Sequence, residues 1–106
     1  MSDVLQQLAE VIAARREADP GESYVASLYA KGRPAIAAKV GEEAVETVVA
    51  ALAEDDAALV HEVADLWFHV LVMLAERGLG PAEVEVELAR RFGISGHEEK
   101  KGRGRA

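Results

Sequence analysis

Four acidic side chains carry the strongest chemical signal in this chain. Glu43 and Glu46 lie in the run GEEAVE (41–46), and Glu62 and Asp65 lie in HEVAD (61–65). Each pair has i, i+3 spacing, which puts two carboxylates on one face of a helix. If the two segments are consecutive helices folded back near Glu54, residue 46 stands level with 62 and residue 43 with 65. Four carboxylates then converge, and each raises the pKa of the others. A hard divalent cation relieves that repulsion, and an all-oxygen donor set suits Mg²⁺ or Mn²⁺ rather than zinc or copper.

Other chemistries fit less well. His61-Glu62-x-x-Asp65 approaches a zincin HExxH but lacks the second histidine and an evident third ligand. A ferritin-like di-iron site needs Glu-x-x-His, and Ala58, Leu66 and Ile94 stand three residues before the three histidines. No phosphate-binding loop, dinucleotide fingerprint or nucleophile elbow is present. The chain has no cysteine, which removes disulfides, thiolate metal sites and thiol nucleophiles, and suits a reducing cytoplasm. With 12 basic and 19 acidic residues the net charge is −7. Such acidity argues against nucleic acid or an anionic membrane as partner, but not against a small nucleotide reached through a divalent cation. The longest apolar run, Leu66 to Ala75, is too short to span a bilayer, and the start of the chain does not read as a signal peptide.

The elements that must position these acids are helical. At 106 residues the chain fits one domain. Ser2 or Asp3 caps a helix running to about Ala18, and Asp19-Pro20-Gly21 makes a turn. Ser23 caps a short helix from Tyr24 to Ala30, ended by Gly32. Pro34 opens a third helix to about Ala53. Asp55 or Asp56 caps a fourth that ends at Gly78, and Gly80-Pro81 opens a fifth that Gly93 closes. The expected fold is an all-α helical bundle built on the long antiparallel helix hairpin and completed by homodimerisation. Residues 1–96 form the domain. Residues 97–106 form a basic tail of net charge +2, expected to be flexible when nothing is bound, which leaves −9 on the body.

Helical-wheel positions sharpen the expectation. On the third helix, with Ile36 at zero, Val40, Ala44, Val48, Leu52, Val45 and Val49 fill an apolar arc from roughly 40° to 220°. Glu42, Glu46, Lys39 and Glu43 form a polar strip from roughly 240° to 340°. The fourth helix is apolar around most of its circumference, so Glu62 and Asp65 should point into a confined space. Its apolar surface exceeds what short neighbours cover, hence the expected second copy. Trp67, Phe68 and Met73 read as core or dimer interface. His69 reads as a hydrogen-bonded core histidine, with a supporting place beside Asp65 as the alternative. Gly41, costly inside a helix, implies close helix packing or room for a ligand, packing being the simpler explanation.

The constellation also resembles a known family. ExxE at 43–46 followed by ExxD at 62–65 resembles the metal-binding signature of the MazG-like all-α NTP pyrophosphohydrolases. SLYAKG (27–32), KVGEEAVETVVAA (39–51), EVADLWFHVLVMLAERGL (62–79) and SGHEEK (95–100) are similar to the phosphoribosyl-ATP pyrophosphohydrolases within that superfamily. Trp67-Phe68 departs from the commoner leucine and tyrosine. The resemblance implies Mg²⁺-dependent hydrolysis of phosphoribosyl-ATP to phosphoribosyl-AMP and pyrophosphate, in the histidine pathway, by a cytoplasmic enzyme. It implies that Glu43, Glu46, Glu62 and Asp65 hold the metal. Glu42 then either orients the attacking water as general base or pairs with a surface arginine. Lys39 is the first candidate for substrate phosphate, followed by Lys31 and Arg33, for both of which ordinary solvated surface is the alternative and for Arg33 the favoured one. The SGHEEK segment, with Lys100, either closes over substrate or is a solvated tail. Two other readings stay open: a house-cleaning (d)NTP hydrolase of the same fold, and a non-catalytic acidic helical module that dimerises.

Overall fold

The computed structural model describes residues 4–92. The caps at Ser2 or Asp3, the stop at Gly93, and the tail with Lys100 lie outside the described residues. Those described form five α-helices and no strand: α1 (Val4–Ala14), α2 (Tyr24–Lys31), α3 (Arg33–Ala53), α4 (Asp56–Glu76) and α5 (Pro81–Arg90). The first helix stops earlier than expected. A 3-10 turn, Arg15–Glu17, carries the chain out of α1, and Ala18 is already extended. Asp19 then organises the turn, its carbonyl accepting from Glu22 and Ser23 N–H at 2.9 and 3.0 Å.

The caps follow the sequence. Ser23 Oγ accepts from Ala26 N–H at 3.1 Å and starts α2. Asp55 Oδ1 accepts from Ala58 N–H at 2.9 Å and starts α4. Each satisfies a backbone donor that the first helical turn leaves unpaired. Gly32, at φ 96°, breaks α2 from α3 with a single residue, a conformation that L side chains resist. Gly78, at φ 75°, ends α4, with Leu79 N–H returning to the Leu74 carbonyl at 2.9 Å.

Helices α3 and α4 make the most extensive interhelical contact, with only Glu54 and Asp55 between them, and α4 also lies along α1. Arg33, at the start of α3, pairs with Glu76, at the end of α4, at 2.8 Å. The core is Ile12, Val25, Leu28, Ile36, Leu71 and Val72, with Phe68, Met73 and Leu74 packed against it. By length and composition α4 is apolar enough to cross a bilayer. It nevertheless carries Asp56, His61, Glu62, Asp65 and His69 along its length.

Burial shows how α3 is rotated. The buried residues of α3 are Ile36, Glu43 and Ala50, spaced by seven. Its valine arc, Val45, Val48, Val49 and Leu52, is exposed. Glu43 therefore faces α4 with Lys39 half-buried beside it, while Glu42, Glu46 and the valines beyond them are exposed. Of the two readings for Trp67, core or dimer interface, its half exposure in the single chain leaves the second, whereas Phe68 and Met73 pack on the core. Among the described residues, no atom outside its own stretch of helix lies within 4 Å of a Cβ built on Gly41, so packing between the described helices does not explain that glycine.

The last helix carries its own titration switch. Hydrogen bonds from Arg90 and then Arg91 hold the Glu87 carboxyl down at about 2. A depressed folded value adds stability above the ordinary glutamate range, and that stability is lost as pH falls toward 2. The expected result is a small loss of thermal stability between about pH 4.5 and 2 that is absent in Glu87→Gln. Melting curves against pH, at low and high salt, check it, and the effect should shrink with salt because the pairs are exposed.

Candidate metal centre

The site is assembled where α3 meets α4. Glu43 from α3 and Glu62 and Asp65 from α4 each bring a carboxylate oxygen to within 4.8 Å of the other two. Glu43 is only 5% exposed. Its seven-residue spacing from Ile36 and Ala50 puts it on the contact face of α3. Thr47, one turn further on, shares its hydroxyl between the Glu43 carbonyl at 2.8 Å and the Glu62 carbonyl at 3.2 Å, tying the two backbones together at the acids. Sequence reasoning did not single out Thr47.

The electrostatics of this cluster are unbalanced. Glu43 Oε1 and Glu62 Oε1 are buried and have no hydrogen-bond partner among the described residues. A buried polar oxygen without a partner is costly. Burial pushes the Glu62 carboxyl above its ordinary value, and the nearby Glu46 carboxylate adds to the rise. Glu46 thus acts on the site through its charge, but its own side chain is exposed and lies outside the three-way cluster. Asp65 Oδ2 lies 3.4 Å from Nε2 of the exposed His61.

Cations and aromatic groups border the acids. Lys39 Nζ lies 3.5 Å from Glu43 Oε2 and 3.7 Å from Glu42 Oε1. Glu42, exposed, therefore pairs with Lys39 rather than with a surface arginine. His69 is buried, its Nδ1 2.7 Å from the Asp65 carbonyl and its Nε2 2.7 Å from the Tyr24 hydroxyl. It is the hydrogen-bonded core histidine expected, and it also touches the backbone of a site acid. Tyr24 was not foreseen. It enters from α2, whose position against α4 no periodicity within α3 or α4 reveals. The remaining candidate cations fall elsewhere. Arg33 is committed to Glu76. Lys31 ends α2, about 10 Å along the helix from Tyr24, and is exposed.

A hard cation fits these residues. Three carboxylates converge, two of their oxygens are buried and unpartnered, and every donor is oxygen. Glu43, Glu62 and Asp65 could hold such an ion directly.

Comparison with known proteins gives the family. The family described as phosphoribosyl-ATP pyrophosphohydrolase matches residues 5–92, nearly the whole chain described above. A curated relative from Methylococcus capsulatus, named phosphoribosyl-ATP pyrophosphatase, is 55% identical over 101 residues, covering 95% of this chain and 96% of its own. The class is thus an all-helical enzyme with a carboxylate-lined site. Within that class, the chain belongs to the phosphoribosyl-ATP pyrophosphohydrolase family.

Proposed function

We propose that this chain hydrolyses phosphoribosyl-ATP between its α and β phosphates, giving phosphoribosyl-AMP and pyrophosphate, with Mg²⁺ as cofactor and Mn²⁺ as a substitute. Family membership and the named relative support the substrate and the place in histidine biosynthesis. The observation that carries the metal is the pair of buried, unpartnered oxygens on Glu43 and Glu62 beside Asp65. Bound there, the ion would neutralise phosphate charge and acidify a water. Glu46, whose charge already reaches Glu62, stands at the margin as a fourth acid. Lys39 offers its ammonium to a phosphate oxygen that displaces Glu42 or Glu43 as its partner. Glu42, freed from Lys39 in that exchange, is placed to take a proton from the attacking water.

The assembly belongs to the same proposal. An antiparallel α3–α4 hairpin whose valine face looks outward is completed by a second copy of the chain. The partners are then a small nucleotide and another subunit, with no nucleic acid or membrane.

A product assay tests the reaction. Pure protein is incubated with phosphoribosyl-ATP, ATP and a dNTP panel, with and without Mg²⁺, and pyrophosphate is measured. The expected result is Mg²⁺-dependent release from phosphoribosyl-ATP, with ATP and dNTPs far slower. Release from dNTPs alone would make the chain a house-cleaning hydrolase, and no release from any substrate would point to a binding module.

A further inference from the structure

The open end of the hairpin carries a second charged cluster, which the reaction as described leaves unused. Gly32 joins the end of α2 to the start of α3, its N–H returning to the Tyr29 carbonyl at 3.1 Å and its carbonyl accepting from Ile36 N–H at 3.2 Å. Tyr29 and Arg33 therefore leave one tight joint. The 3-10 turn after α1 brings Arg16 to the same joint, its guanidinium 4.7 Å from the centre of the Tyr29 ring. Arg33 Nε meets Glu76 Oε1 at 2.8 Å. Arg15 and Lys31 adjoin these residues in sequence, with Glu17 and Glu76 as the neighbouring acids, so cations are in excess here on an acidic body. The Tyr29 hydroxyl oxygen is buried and has no hydrogen-bond partner among the described residues. Such a group is costly unless something accepts its hydrogen. Burial raises this hydroxyl, with Arg16 opposing, so it stays a donor. The arginines keep donors too. Arg33 uses Nε on Glu76, and Arg16 meets the ring with its face, which leaves in-plane N–H groups on both. Both side chains are exposed to an arriving ligand.

We propose that Arg16, Tyr29 and Arg33 form a second phosphate subsite, which takes the phosphate monoester on the phosphoribosyl arm of the substrate while the acids hold the triphosphate end. The proposal rests on the phosphoribosyl-ATP reading above. That substrate has two anionic ends, because the triphosphate-bearing ribose and the phosphoribosyl group leave the purine on opposite sides. The fold has two matching places. Arg33 stands ten residues before Glu43 on α3, about 15 Å along the helix. Glu76 continues the strip of α4 that carries Glu62, Asp65 and His69. The buried pair Ile36 and Val72 fills the level between the two clusters and keeps them apart. ATP and dNTPs lack the second arm, so this subsite is what separates phosphoribosyl-ATP from them. Donors placed for one phosphate discriminate strongly against an analogue without it.

Kinetics and binding test this separately. Arg16→Met and Tyr29→Phe should each raise KM for phosphoribosyl-ATP about tenfold with kcat within about twofold, and leave the slow turnover of ATP unchanged. An equal loss on ATP, or a fall in kcat without a rise in KM, overturns the proposal. Stability distinguishes a structural hydroxyl: Tyr29→Phe has no hydrogen bond to lose and should melt no lower than wild type. A lower melting temperature with unchanged KM overturns the assignment. Ribose 5-phosphate serves as the binding probe and needs no turnover. In nitrogen–proton NMR it should shift the Arg16 and Arg33 Nε–H signals saturably, ribose should not, and Arg16→Met should abolish the Arg33 shift. Shifts confined to Lys39, or none, overturn the subsite. Ribose 5-phosphate should also compete with phosphoribosyl-ATP, and non-competitive inhibition would assign the subsite to a separate sugar phosphate, against the proposal. Shifts at both arginines in a protein that does not hydrolyse phosphoribosyl-ATP would keep the phosphate subsite and remove the reaction proposed above.

Discussion

Changing Glu62 to glutamine should have two effects of opposite sign: Mg²⁺-dependent turnover falls about a thousandfold, and the metal-free protein melts a few degrees higher. The loss follows from the donor set. Glu62 supplies one of three convergent carboxylates, and an amide oxygen is a far weaker ligand for a hard cation than a carboxylate. The gain follows from the same geometry without metal. Burial already pushes this carboxyl up, Glu46 and Asp65 add to the strain, and its Oε1 has no partner. A neutral amide of the same shape removes the repulsion, and its NH₂ can donate to the neighbouring carboxylates of Glu43 and Asp65. Calorimetry in chelator and a pyrophosphate assay in Mg²⁺ read the two effects on one preparation. In the wild-type protein Mg²⁺ should raise the melting temperature, and in Glu62→Gln that shift should largely vanish. A variant that melts lower in chelator while keeping its turnover would make Glu62 an ordinary structural acid.

What could be read from the residues alone follows from how local each signal is. Glu43, Glu62 and Asp65 were legible because helix periodicity and one short turn suffice to bring them together. The caps at Ser23 and Asp55 were legible because a side-chain oxygen at a helix start is a local event. Which acid of the α3 strip is buried was not legible. Helical spacing puts Glu42, Glu43 and Glu46 on one strip, and only the register of Ile36, Glu43 and Ala50 against α4 shows that Glu43 alone of the three is buried. The place of Glu46 depends on the same rotation, since a turn of the helix that buries Glu43 leaves Glu46 at the margin. Tyr24 depends on a third helix altogether. Thr47 reads as any helical threonine until its hydroxyl is seen to reach two carbonyls on two helices.

The exposed valine face of α3 leads to the second large effect: on the proposed two-copy assembly, Leu52→Glu should convert the dimer to a monomer, weakening self-association at least a hundredfold. Leu52 is 84% exposed in the single chain, and Val45, Val48 and Val49 continue its stripe. Val60, early in α4, is exposed too. In the two-copy assembly proposed above, this exposed stripe would meet the same stripe of a second copy across a two-fold axis. A charge at the centre of such a contact loses apolar burial and adds an unpaired carboxylate, a penalty on the scale of an interface hot spot. The single chain should tolerate the change, because an exposed position outside caps and core shifts stability little. Circular dichroism should therefore be unchanged while sedimentation reports half the mass. The interface and the site are also coupled through α3. Glu46 lies between the valine arc and the acid cluster, so a copy packed on the valines would exclude water from its flank and strengthen its pull on a cation shared with Glu62. Apparent Mg²⁺ affinity should then fall in the monomeric variant. A variant that still sediments as a dimer would place the interface elsewhere, and a monomeric wild-type protein would end the two-copy assembly.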